Sequence, residues 1–141
     1  MPQKDAILVD TGPIVAIVDS DESQHKACMK VLKTLPRRTK LLTASPVLTE
    51  ASYLLSEVSL GQDRLFDLID ALQLSIVPVT NSHLARVRSL MTRYHDLPMD
   101  FADAVLVALA EESKIKTVFT LDRRGFQVYR PSHTKHLEIL P

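Results

Sequence analysis

Residues 6–13 read Ala6-Ile7-Leu8-Val9-Asp10-Thr11-Gly12-Pro13. Four apolar residues in a row, too few for a helix and flanked by polar residues, are a buried strand. Thr11-Gly12-Pro13 then breaks the run, and Ile14 to Val18 resumes as one or two helical turns. A buried strand that ends on a carboxylate and turns into a helix is the first unit of an α/β protein, where ligands bind beyond the carboxyl ends of the strands.

The rest of the chain repeats the alternation. Ser23 to Leu35 carries apolar residues at helical spacing, Pro36 stops it, and Leu41-Leu42-Thr43 is a second strand. Ser45 suits an N-cap with Pro46 at the first helical position, and the helix runs through Val58 to Gly61, which ends it. Asp63 to Leu72 is a further helix. Ser75 to Val79 is β-branched and contains Pro78, which points to an edge strand or a strand end. Asn81-Ser82 caps a helix reaching Tyr94, and Asp100 to Glu112 is alanine-rich and apolar on nearly every side, as a helix buried on several sides must be. Thr117 to Thr120 is a strand, Asp122-Arg123-Arg124-Gly125 fits a turn, and Leu137 to Leu140 is a last short strand. The expected architecture is α/β: a doubly wound, mostly parallel sheet with helices on both faces.

The chain has 141 residues, 45% of them hydrophobic and 24% charged, with a formal net charge of zero. That is one ordinary domain, 1–141, with one core. The balanced charge neither demands nor forbids a nucleic acid. The lone Cys28 rules out an internal disulfide and a cysteine-based zinc site, and makes a cytoplasmic location the default. No apolar run reaches the roughly 18 residues of a membrane span. Met1-Pro2-Gln3-Lys4-Asp5 leads into a strand, not into a signal sequence.

The chemistry lies in the acids. Asp10 and Asp122 each follow an apolar strand; Glu50 sits one turn into its helix; Asp100 and Asp103 stand three apart at the start of the alanine-rich helix. Each has an ordinary structural alternative as a cap, a turn residue or a complement to a helix N-terminus. As a set, acids at two strand ends and two helix starts can meet at one edge of the sheet. An all-oxygen cluster without histidine or cysteine suits Mg²⁺ or Mn²⁺, which can polarise a phosphoryl oxygen and lower the pKa of water. Thr11, Ser45 and Thr120 are neighbouring hydroxyls, suited to capping or to holding water or phosphate. Arg123 and Arg124 beside Asp122, with Arg86, Arg88, Arg93 and Arg130, are either a hold on a polyanion or ordinary solvated charge. The five histidines, at 25, 83, 95, 133 and 136, are scattered in polar segments and expected at the surface. With glycines only at 12, 61 and 125 there is no glycine-rich phosphate cradle.

Four stretches in order, Leu8-Val9-Asp10-Thr11-Gly12-Pro13, Leu48-Thr49-Glu50, Asp100-Phe101-Ala102-Asp103-Ala104 and Thr120-Leu121-Asp122, resemble the PIN domain. The size and element order are similar to the VapC-type toxins of bacterial toxin–antitoxin pairs, and the resemblance covers nearly the whole chain. It implies a Mg²⁺- or Mn²⁺-dependent endoribonuclease acting on RNA of the tRNA or rRNA class. It also implies a catalytic quartet of Asp10, Glu50, Asp103 and Asp122, with Asp100 as a further metal ligand and Thr120 as the hydroxyl near the last acid. A homodimer and an inhibiting antitoxin protein are implied in the same way. Many members carry another acid three residues after the last aspartate; here that residue is Gly125, so this corner rests on Asp122 alone. Two other classes stay open: another metal-dependent phosphoryl-transfer enzyme, such as a DNA nuclease or phosphatase, and a non-catalytic RNA-binding PIN domain.

Overall fold

The structure, a computed structural model, describes residues 5–141. The reading of the first four residues, Met1 to Lys4, lies outside the described residues. The strands are β1 (Ala6–Val9), β2 (Lys40–Ala44), β3 (Ser75–Val77), β4 (Thr117–Phe119) and β5 (Glu138–Leu140). The helices are α1 (Thr11–Val18), α2 (His25–Thr34), α3 (Ser45–Leu54), α4 (Gly61–Leu72), α5 (Asn81–Arg93), α6 (Phe101–Ser113) and α7 (Arg123–Val128).

Among the described residues all strand pairs are parallel, and the spatial order is β3-β2-β1-β4-β5. The chain therefore winds outward from β1 in one direction, then returns to its other side with β4. That reversal leaves a crevice at the carboxyl ends of β1 and β4, where such sheets bind ligands. Every residue of β1 is buried, as a central parallel strand requires. β3 is an edge strand and stops before Pro78, whose missing N–H cannot serve a ladder. From Ala102 to Glu111 every residue of α6 is buried, so its apolar circumference is matched by neighbours, α5 among them.

Three local expectations are corrected. Gly61 opens α4 instead of ending α3; a 3₁₀ turn at Leu55–Glu57 ends that helix, and Leu60 follows at φ 57°. A Cβ at residue 61 would lie 2.5 Å from the Leu55 carbonyl oxygen, so glycine is needed for this close approach. Ser45 is the first residue of α3, with Ala44 as the N-cap and no side-chain cap bond. Asp122-Arg123-Arg124-Gly125 is not a free-standing turn: Asp122 caps α7 by accepting from the Gly125 N–H at 3.1 Å.

Candidate metal centre

Asp10 is where β1 becomes α1. Its N–H donates to the Phe119 carbonyl of β4, which ties it to the neighbouring strand. Its Oδ1 accepts from the Thr11 N–H at 2.8 Å and its Oδ2 from the Thr120 hydroxyl at 2.7 Å. The cap is therefore real, but it uses one oxygen on its own helix and the other on a distant hydroxyl. Thr120, fully buried at the end of β4, also accepts from the Asp122 N–H at 3.0 Å. One hydroxyl thus holds both strand-end acids. Its hydrogen is committed to Asp10.

Asp100 and Asp103 form a reciprocal cap at the start of α6. Asp103 N–H donates to Asp100 Oδ1 at 2.8 Å, and Asp100 N–H to Asp103 Oδ2 at 3.3 Å. The Tyr129 hydroxyl also donates to Asp103 Oδ2, at 3.3 Å. Glu50, on α3, accepts from the Thr11 hydroxyl at 3.3 Å. It is exposed.

These residues line one cavity of about 460 Å³: Asp10, Thr11, Gly12, Glu50, Leu54, Asp100, Asp103, Leu121 and Asp122. All five singled-out acids are there and, among the described residues, no lysine or arginine is. Asp10 and Asp103 are 8% and 9% exposed, which is unusual for unpaired carboxylates. Burial pushes the Asp10 carboxyl up to about 6, against the hydrogen bonds from Thr120 and Thr11 and with the charges of Asp100 and Glu50. Burial and then the charges of Asp10 and Asp100 push Asp103 up to about 8. Burial and the charge of Asp103 likewise raise the Tyr129 hydroxyl well above its usual range.

Two buried carboxylates that resist ionisation for lack of a positive neighbour are what a divalent cation would relieve. The donor set is carboxylate and hydroxyl oxygen, so it fits a hard ion. Among the described residues no three His, Cys, Asp or Glu side chains stand as a ready-made cage. Asp10 and Asp103 are the buried pair; Glu50, Asp100 and Asp122 are exposed around them.

The basic residues are placed differently. Arg123 donates through Nη1 to the Pro141 carbonyl at 2.5 Å, and Arg124 is exposed; neither lines the acidic cavity. Arg86 makes a two-pronged pair with Glu111, at 2.7 and 2.8 Å, so it braces α5 on α6. Three histidines are anchored and partly buried where surface positions were expected; His83 Nε2 lies 2.7 Å from Glu112 Oε2. His25 Nδ1 lies 2.7 Å from the Ala16 carbonyl and His133 Nε2 lies 2.6 Å from that of Ile115. Sequence reasoning missed Tyr129, which lies between the 122–125 turn and the last strand; nothing in its local spacing marks a contact with Asp103. Beside the acidic cavity lies a second of about 820 Å³, sharing Glu50 and Asp100 and carrying Pro46, Tyr53, Val79 and Phe101.

The family model for the PIN domain matches residues 7–130. Ribonuclease VapC26 of Mycobacterium tuberculosis is 28% identical over 139 residues, spanning 96% of this chain and all of that protein. The crystal structure of VapC20 from the same species, described as a sarcin-ricin loop cleaving toxin, superposes with a TM-score of 0.77 at 18% identity, covering 96% of this chain and 99% of that one. A toxin–antitoxin complex from Klebsiella pneumoniae gives a TM-score of 0.65 at 15% identity, covering 93% and 98%. These two structural likenesses establish the shared fold.

Proposed function

The chain belongs to the PIN-domain family, and from that premise we propose that it is a metal-dependent endoribonuclease, the toxin of a toxin–antitoxin pair. The observation that carries the reading is the convergence of buried Asp10 and Asp103 with Glu50, Asp100 and Asp122 on one cavity that, among the described residues, holds no basic side chain. The ribonuclease likeness of a relative spanning its whole length supports the same reaction.

Asp10 and Asp103 would hold the Mg²⁺ or Mn²⁺ ion, with Asp100 and Asp122 completing its surroundings. When bound, the ion supplies charge to offset a phosphoryl oxygen and makes a water acidic enough to attack at neutral pH. The chain's own residues do the rest. Thr120 keeps Asp10 and Asp122 in register. Glu50, exposed and held among the described residues by the Thr11 hydroxyl, would take the water's proton. Water as nucleophile leaves a 5′-phosphate and a 3′-hydroxyl.

The exposed aromatic faces of Tyr53 and Phe101 beside the acids suit unstacked bases, so single-stranded or loop RNA of the tRNA or rRNA class is the proposed substrate. The same apolar surface, with Leu54, suits an antitoxin segment that covers the site or a second copy of the chain in a homodimer. Among the described residues no helix is long and apolar enough to cross a membrane; a cytoplasmic location is part of the proposal.

The test is Mn²⁺ titration by calorimetry, followed by parallel assays on structured RNA, single-stranded DNA and a small phosphate monoester. Saturable Mn²⁺ binding with cleavage of RNA alone is expected. Preferred turnover of DNA or the monoester assigns another phosphoryl-transfer class, and RNA binding without Mn²⁺ uptake or turnover assigns a non-catalytic domain.

A further inference from the structure

We propose that Tyr129 is a positioning residue for Asp103, and that Gly125 is the opening through which it reaches. The inference rests on the metal-dependent reading above and goes beyond its acids.

The short helix α7 carries Asp122 at its N-cap and Tyr129 at its C-cap, so one element presents both groups to the site. Tyr129 is 1% exposed. Its ring is wedged against Phe126 and Tyr94, each with centroids 5.1 Å away. The Tyr94 hydroxyl accepts from the Arg130 N–H at 2.9 Å, which pins the chain just beyond. The ring is packed on both neighbours, and its hydroxyl has one hydrogen-bond partner among the described residues, Asp103 Oδ2. A buried hydroxyl needs such a partner.

That bond, with the one from Asp100 N–H, falls on Oδ2; Oδ1 of Asp103 accepts none among the described residues. One oxygen is held and the other is left for a cation. The choice of donor matters. A lysine or arginine here would cancel the charge that the cation requires, whereas a neutral hydroxyl orients the carboxylate and keeps its charge.

Gly125 makes this possible. A Cβ at 125 would come within 2.6 Å of Asp122 Oδ2 and 3.0 Å of the Tyr129 hydroxyl oxygen. Any side chain there would compete with both groups for the same space. The hydroxyl of Tyr129 borders the volume that a residue-125 side chain would fill.

The test uses the full chain and Mn²⁺ as probe. Tyr129→Phe keeps the packed ring and removes only the hydroxyl. Its Mn²⁺ dissociation constant, by calorimetry, is expected to weaken about tenfold, the usual scale for losing a group that orients a ligand. Its melting temperature in EDTA should stay within about 5 °C of wild type. RNA cleavage lost at low Mn²⁺ should return at higher Mn²⁺, with KM for RNA unchanged. Gly125→Ala should weaken Mn²⁺ binding as well. Wild-type Mn²⁺ affinity in Tyr129→Phe overturns the proposal, as does a larger fall in melting temperature, which would make the hydroxyl a fold element. Wild-type affinity in Gly125→Ala overturns the role of the glycine. If the wild-type chain takes no Mn²⁺, the metal-dependent reading fails and this inference with it; if it does and only Tyr129→Phe is indifferent, this inference fails alone.

Discussion

The Thr120 hydroxyl donates to Asp10 Oδ2 at 2.7 Å, joining residues 110 apart in sequence at the carboxyl ends of adjacent strands. Because the same oxygen accepts from Asp122 N–H, it sets the spacing of two acids at once. Thr120→Val keeps the shape and removes the donor. Cleavage is expected to fall about 10- to 100-fold, with a loss of about 1–3 kcal/mol in denaturant unfolding from the unpaired groups left buried. Thr120→Ser should retain most of both. Unchanged cleavage by the valine variant would show that Asp10 needs no such support.

Asp103→Asn separates stability from function. The buried charge of Asp103 is opposed by burial and by Asp10 and Asp100, so in EDTA at pH 9 the neutral amide should stabilise the chain, by about 1–2 kcal/mol. Cleavage should be abolished in the same variant. A less stable Asp103→Asn under these conditions would mean that the carboxylate is stabilised by contacts other than those described.

The pH dependence of the metal-free chain follows with its sign. Asp10 and Asp103 titrate near 6 and 8 in the fold, against 3.8 for an ordinary aspartate. The folded chain therefore binds protons that the unfolded chain has lost. The stability linked to these groups is complete below about pH 4 and is lost as pH rises through 6 and 8. Denaturant midpoints in EDTA should be lower at pH 9 than at pH 5, and the difference should shrink in Asp10→Asn/Asp103→Asn. Mn²⁺ binding should release protons and tighten over the same window. An unchanged midpoint difference in the double variant would place the titration elsewhere.

How much of this was legible in the sequence depends on how local the cause is. Short apolar runs, proline positions and the all-round apolar pattern of 104–110 prescribe the strands, the edge placement of Pro78 and the buried helix α6 without any tertiary knowledge. Asp100 and Asp103 are a local cap and could be read as one. The convergence of all five acids follows from the winding order, which the alternation of elements implies. Gly61 misled because the same residue serves a helix end and a close backbone approach, and only the Leu55 carbonyl decides between them. Arg86 could not be assigned from its helix face, since its partner Glu111 is on another element. Tyr129 meets Asp103 across 26 residues, with no periodicity to announce it.

Arg86 and Glu111 supply a contrast to the acidic cavity. Burial pushes the Glu111 carboxyl up, but hydrogen bonds from Arg86 and the Ser132 N–H outweigh it and hold the group below its usual range. Its stabilisation is present above about pH 4.5 and lost below. Arg86→Met should cost about 2–4 kcal/mol by leaving that carboxylate buried and half-paired. RNA affinity at permissive temperature should be unchanged, because Arg86 is outside both cavities beside the acids. Weakened RNA binding by a folded Arg86→Met would return it to the substrate surface.

The central claim is that the cavity built on Asp10 and Asp103 cuts RNA with a divalent cation. Its most direct test is the cleavage of total RNA by the wild-type chain and by Asp10→Asn, each with Mn²⁺ and with EDTA, with the product ends identified. The account predicts 5′-phosphate ends from the wild-type chain with Mn²⁺ only, and at least about a 100-fold lower rate from Asp10→Asn. Cleavage that persists in EDTA, or an Asp10→Asn chain that cuts at near the wild-type rate, would contradict it.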